Sequence, residues 1–114
     1  ACVSNSERRI VDANLKALGI ADLIDFSISY DDVAHGKPHP EPYRTAAGRL
    51  GLPPSAVAAV EDSATGAASA REAGLRVFGI RPEGGTLPDA ELTVTDLADL
   101  LPRLVPHVPR RAGG

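Results

Sequence analysis

Short apolar runs alternate along this chain with stretches of helical periodicity, and several of the runs close on polar residues. Strands separated by helices of about ten to fifteen residues cannot pair as tight hairpins. They pair in parallel through crossovers, with helices covering the sheet. Strands are expected at Ala1–Val3, Phe26–Tyr30, Val57–Val60, Arg76–Ile80 and Leu92–Val94. Between them, Glu7–Leu18 reads as a helix, with Ile10, Val11, Leu15 and Leu18 on one face and Gly19 as its stop. Pro42–Leu50 and the Ala-rich Ala64–Ala73 read as two more helices, and Asp96–Leu104 as a last one capped by Asp96. The prolines and glycine of Asp31–Pro42 mark a loop. The expected fold class is therefore α/β, a doubly wound parallel sheet. Ligands of such sheets sit at the C-terminal ends of the strands.

The 114 residues suffice for one domain, expected over 1–104, with 105–114 as a polar tail expected to be disordered. Apolar residues at 43% and charged residues at 24% are an ordinary globular balance. A net charge of −3 offers no footprint for nucleic acid or an anionic membrane. No apolar run approaches a membrane span, and no charged segment precedes an apolar one as in a signal peptide. Cys2 is the only cysteine, which fits a reducing, cytoplasmic setting without disulfides. The chain opens on an apolar run and contains no Met, so a fragment or a processed product is expected.

Three strand ends carry chemistry-bearing groups. The first closes on Ser4-Asn5-Ser6, the second runs into a loop holding Gly36-Lys37-Pro38, and the third closes on Glu61-Asp62-Ser63. In a parallel sheet these sets meet at one edge: hydroxyl and amide groups, a cation, and two carboxylates. That set suits a phosphate ester with a divalent metal. Each has a plainer alternative. Ser4 and Glu7 have the spacing of a capping box. Lys37 could be a solvated loop lysine, although of 12 basic residues only it and Lys16 are lysines. Asp62 or Ser63 could cap the next helix. Adjacent carboxylates at a buried strand end favour a bound cation, and oxygen ligands favour Mg²⁺. Gly66, one turn on, allows close backbone approach. His35 and His39 have the spacing of a helical zinc pair, but Pro38 and Pro40 forbid the helix, so zinc is not expected there. His107 lies in the tail and carries no signal. Phosphate-binding glycine motifs for dinucleotides or nucleotides are missing.

Ser4-Asn5, Gly36-Lys37-Pro38-His39-Pro40, and Val60-Glu61-Asp62-Ser63 with Gly66 follow in an order and spacing that resembles the second, third and fourth motifs of the haloacid dehalogenase-like hydrolases. The branch it is most similar to holds β-phosphoglucomutases and phosphoglycolate phosphatases. The resemblance covers about residues 1 to 95 and extends to Leu18-Gly19-Ile20 and Ala73-Gly74-Leu75. It implies a Rossmann-like core. It implies that Ser4, with Asn5 beside it, holds phosphoryl oxygens. Lys37 would bridge nucleophile and phosphoryl group as a catalytic and phosphate-binding residue. Asp62 would ligate Mg²⁺ with Glu61 as a second ligand. The reaction implied is hydrolysis or transfer on a small phosphorylated metabolite through an aspartyl-phosphate.

Two departures accompany the resemblance. Glu41 stands where the family usually has Asp. The family's first motif, an Asp-x-Asp after an N-terminal strand, is not found: Asp31 and Asp32 are adjacent, and Asp96 and Asp99 lie three apart. The expectation is an incomplete core lacking that strand and the cap domain, inactive alone, whose missing partner is an N-terminal segment of the same protein. In the family that strand lies between the strands ending at Ser4 and Glu61. The alternative is a non-catalytic α/β binding or regulatory module that kept the scaffold.

Overall fold

A computed structural model describes residues 1–104. Five strands and four helices follow one another, alternating as far as β4: β1 (Cys2–Val3), α1 (Arg8–Ala17), β2 (Ser27–Ile28), α2 (Glu41–Leu50), β3 (Ala58–Glu61), α3 (Ala64–Glu72), β4 (Arg76–Ile80), β5 (Leu92–Val94) and α4 (Leu101–Leu104). All pairings are parallel. β1 pairs with β2 in the register Cys2↔Ser27 and Val3↔Ile28. β3, β4 and β5 form a second sheet in that order, with Glu61 opposite Gly79 and Ile80 opposite Val94. No strand among the described residues joins β1 to β3, so each keeps an edge without a strand partner.

The core lies between β3–β4 and the helices α2 and α3. Tyr43, Ala59, Ala67, Ala70, Ala73, Leu75, Val77 and Leu87 are its buried members. The small side chains of α3 let that helix lie close to the sheet, which is how a chain this poor in aromatics fills its interior. Around β1 cover is thinner. The expected apolar face of α1 is only partly used: Val11 is buried, but Leu18 remains 70% exposed. β3 alternates exposed and buried along its length, with Val60 38% exposed. A parallel strand is normally covered on both faces.

Several boundaries differ from the sequence reading. Ser4 and Glu7 do not form a capping box. Glu7 is itself the N-cap residue of α1, and the Arg8 N–H is met by the Asp31 carboxylate at 2.9 Å. The capping box in this region is Ser29 with Asp32, closing the 3₁₀ turn Tyr30–Asp32 that cuts the expected second strand short. Glu61 is the last residue of β3 rather than a residue after it. Asp96 does cap, accepting the Ala98 N–H at 2.9 Å, but the last helix breaks into a 3₁₀ turn at Leu97–Asp99 and then α4. Pro102 has no N–H to return to Ala98, so one continuous α-helix cannot form. The tail expected over 105–114, with His107, lies outside the described residues. No helix among the described residues is long and apolar enough to cross a membrane.

Candidate functional site

A cleft of about 700 Å³ separates the two sheets; Val3, Lys37, Tyr43, Val60, Glu61 and Asp62 are among the residues lining it. Lys37 spans its polar end. The ammonium donates to the Val3 carbonyl at 2.8 Å, at the end of β1, and to Glu61 Oε1 at 2.7 Å, at the end of β3. The two strand ends therefore meet at one edge, as the parallel reading expects. The Lys37 and Glu61 side chains are only 12% and 7% exposed. Removing one partner of so buried a pair typically costs about 3–5 kcal/mol, because the other charge is left uncompensated.

Backbone placement of Lys37 depends on Asn5. The Asn5 side-chain amide donates to the Lys37 carbonyl at 3.1 Å, and its oxygen accepts the Lys37 N–H at 2.8 Å. Gly36 makes this approach possible, since a Cβ there would lie 2.7 Å from the Tyr30 ring and 2.8 Å from the Asn5 oxygen. Ser4 extends the β1–β2 ladder through its N–H to the Ile28 carbonyl at 2.9 Å. Its hydroxyl accepts the Ser6 N–H at 3.0 Å, which leaves the hydroxyl hydrogen to donate. Farther along the loop, Glu41 accepts the N–H groups of Ala34 at 2.8 Å and His35 at 3.0 Å. The Ala34 amide, with smaller contributions from His35, holds the Glu41 carboxyl below its ordinary range. The longer acid thus closes the Lys37 loop onto the first turn of α2. Ser69, buried on α3, donates to the His39 carbonyl at 2.7 Å and pins the loop from the other side.

Glu61 is engaged on one oxygen. Besides Lys37, the Tyr43 hydroxyl donates to Glu61 Oε1, and the Lys37 ammonium lies 5.4 Å from the centroid of the Tyr43 ring. Burial, then the hydrogen bond and charge of Glu61, push the Tyr43 phenol well above its ordinary value, which favours the protonated form that donates to Glu61. Gly66 lies directly beneath this carboxylate, and a Cβ there would overlap Glu61. The expected close approach at Gly66 is thus made by an acid side chain. Ser63 caps α3 through the Gly66 N–H at 3.0 Å, which leaves Asp62 exposed at the cleft.

The structure brings Lys37, Glu61 and Asp62 to one cleft, with Ser4 and Asn5 just beyond the end of β1 that Lys37 touches. Tyr43 was not singled out from sequence. Its helical position reads as core, and the one signal for it is that a buried acid beside a lysine needs further donors. The oxygen-only donor set of Asp62 and Glu61 fits a hard cation that keeps its remaining positions for water and phosphate. His35 and His39 are not on a helix, as their prolines require, but the turning loop brings them together and stacks their rings at 4.7 Å.

A parallel α/β core with a lysine, two carboxylates and a seryl hydroxyl at one strand edge is the arrangement of a class of hydrolases with an α/β fold. The family model of the haloacid dehalogenase-like hydrolases matches residues 1–74, and the chain belongs to that family. It is 37% identical over 116 residues to the protein CbbY of Rhodobacter capsulatus, covering 96% of this chain and 51% of that one. It is 34% identical over 111 residues to the phosphoglycolate phosphatase of Salmonella typhimurium, covering 92% and 44%. A haloacid dehalogenase-family hydrolase from Deinococcus radiodurans, solved with bound phosphate and sodium, superposes with a TM-score of 0.81 at 32% identity, over 91% of this chain and 50% of that one. Phosphoglycolate phosphatases are thus among the relatives of this chain within the family. The chain spans about half the length of these relatives.

Proposed function

We propose that these residues form the C-terminal part of the core of a Mg²⁺-dependent phosphatase or phosphomutase that acts on a small phosphorylated metabolite through an aspartyl-phosphate. The observation that carries the reading is the Lys37 ammonium, fixed between the Val3 carbonyl and Glu61 at the mouth of the cleft that Asp62 also lines. A cation so placed, with little water around it, stabilises negative charge developing on a phosphoryl group far more than a solvated lysine does. Ser4 donates its hydroxyl hydrogen to a phosphoryl oxygen. Asn5 acts on the same centre by holding the Lys37 peptide, and its second amide hydrogen is left for the phosphoryl group. Asp62, with the second oxygen of Glu61, would hold Mg²⁺, which when bound neutralises phosphoryl charge. The nucleophilic carboxylate comes from an extended segment outside residues 1–114, lying in the cleft between β1 and β3. An acidic nucleophile there approaches the Lys37 ammonium, and the phosphoryl group passes from substrate to carboxylate and then to water or a second hydroxyl.

Assay of the full-length protein on phosphate monoesters tests the reading. Release of inorganic phosphate, or phosphate transfer between hydroxyls, should require Mg²⁺. Lys37→Ala should lower kcat by about 10²–10³ while changing KM much less. Asp62→Asn should raise the Mg²⁺ concentration needed for half-maximal rate. Wild-type turnover in Lys37→Ala, or unchanged Mg²⁺ dependence in Asp62→Asn, would remove these residues from the reaction.

A further inference from the structure

We propose that His35, His39 and Glu41 form a second metal site, for a borderline divalent ion of the Zn²⁺ or Co²⁺ type, on the loop that carries Lys37. The three side chains each offer a ligand atom within 4.8 Å of the others. His35 Nδ1 and Glu41 Oε1 are 3.3 Å apart. Two atoms bound to one tetrahedral zinc at about 2.0–2.2 Å are themselves separated by roughly 3.3–3.5 Å, so this pair already has the spacing of shared ligands. His39 Nδ1 accepts the Glu41 N–H at 3.0 Å, so its lone pair lies beside Glu41, and a metal takes it in exchange for that one hydrogen bond as the ring turns. The two rings stack with their planes 21° apart, so a small ring movement completes the set. Glu41 is held in its ionised form by the amides of Ala34 and His35, and supplies the negative charge.

Ligand chemistry separates this site from the one at Asp62. Two imidazoles and one carboxylate favour Zn²⁺, Co²⁺ or Ni²⁺, whereas Mg²⁺ favours an all-oxygen set. Both histidines are exposed, so an ion reaches them from solvent and keeps a fourth position for water. Because the ligands flank Lys37 on both sides, a bound ion ties residue 35 to residue 41 and stiffens the loop. The inference does not rest on the phosphatase reading.

The test uses the full chain without an affinity tag, with His107→Gln to remove the remaining histidine, in excess Mg²⁺ to fill any oxygen site. Zn²⁺ is titrated by calorimetry, and Co²⁺ by its visible absorption. One equivalent should bind, with the absorption of a low-coordinate nitrogen–oxygen cobalt centre. His35→Ala and His39→Ala should each weaken binding by about tenfold or more, while Asp62→Asn and Cys2→Ser leave it unchanged. His35→Gln and His39→Gln, which keep a polar side chain on the exposed loop, should show the same loss at an unchanged unfolding midpoint. A native chain with no saturable binding, binding that survives in the histidine variants, or binding lost in Asp62→Asn or Cys2→Ser would overturn the proposal.

Discussion

Glu61 holds the Lys37 ammonium and the Tyr43 hydroxyl on a single carboxylate oxygen while its carboxylate rests on Gly66. Each of those contacts can be removed separately. Gly66→Ala inserts a methyl group where the carboxylate lies, and the clash is with a side chain that cannot swing away without dropping Lys37. Alanine is the better helix former by about 1 kcal/mol, but overpacking costs about 1–3 kcal/mol and the lost ion pair adds to it. The variant should therefore unfold at a lower denaturant midpoint; a higher midpoint would mean that Glu61 has another place to go. Tyr43→Phe keeps the ring beneath the ammonium and deletes one charge-assisted hydrogen bond, worth about 1.5–3 kcal/mol. It should lower stability by that order, measured by urea unfolding, without opening a cavity. Stability equal to that of the native chain would show that Lys37 alone satisfies the buried acid.

Helix α1 and the 3₁₀ turn Tyr30–Asp32 are joined by carboxylates rather than by packing. Asp32 accepts the Ser29 N–H at 2.7 Å and its hydroxyl at 2.9 Å, and pairs with Arg8; Asp31 receives the first amide of α1. The Ser29 amide, then the Ser29 hydroxyl and Arg8, hold the Asp32 carboxyl below its ordinary value of 3.8. A group whose folded value is depressed contributes stability that is fully present above the unfolded value and is lost as pH falls through the folded one. The chain should accordingly lose stability as pH drops below about 4, and Asp32→Asn should flatten that part of the profile while lowering stability at neutral pH. A thermal-unfolding series from pH 6 to pH 2.5 in both proteins checks it; parallel profiles would mean that other carboxylates carry the acid sensitivity. These joints also show where sequence reading stops. The strand–helix alternation, Lys37 beside glycine, the Glu61-Asp62 pair and the small residue at 66 are legible because each is a local pattern. The Asp31 cap, the Asn5 clamp, Tyr43 on Glu61 and the His35–His39 stack join residues far apart in the chain or across a turning loop. For the first three the spacing along the chain carries no trace of the contact, and for the histidines the spacing is legible but the loop geometry that stacks them is not.

At the scale of the whole molecule, the dominant feature is the cleft between two parallel sheets whose facing edges, on β1 and β3, have no strand partner among the described residues. Those edges present backbone donors and acceptors, and apolar side chains such as Val60 and Leu18 stand exposed at the cleft. A buried backbone group without a partner costs about 1–3 kcal/mol, so an extended segment that paired with both edges would gain hydrogen bonds on two sides and cover apolar surface at once. The chain's relatives are about twice its length, which is consistent with such a segment belonging to the complete protein. The 114 residues alone should then show no Mg²⁺-dependent hydrolysis of a phosphate ester, because no carboxylate among the described residues is both in the cleft and uncommitted except Asp62, which the proposed metal uses. A separate polypeptide carrying an apolar strand that ends in Asp-x-Asp should bind the chain and raise its unfolding midpoint; at a hundredfold excess over Kd the gain is about 2.7 kcal/mol. Turnover should appear with it and vanish when the first of those aspartates is replaced by Asn. Steady turnover by the purified chain alone, abolished by Asp62→Asn, would instead place the nucleophile inside these residues, and the cleft would need another occupant.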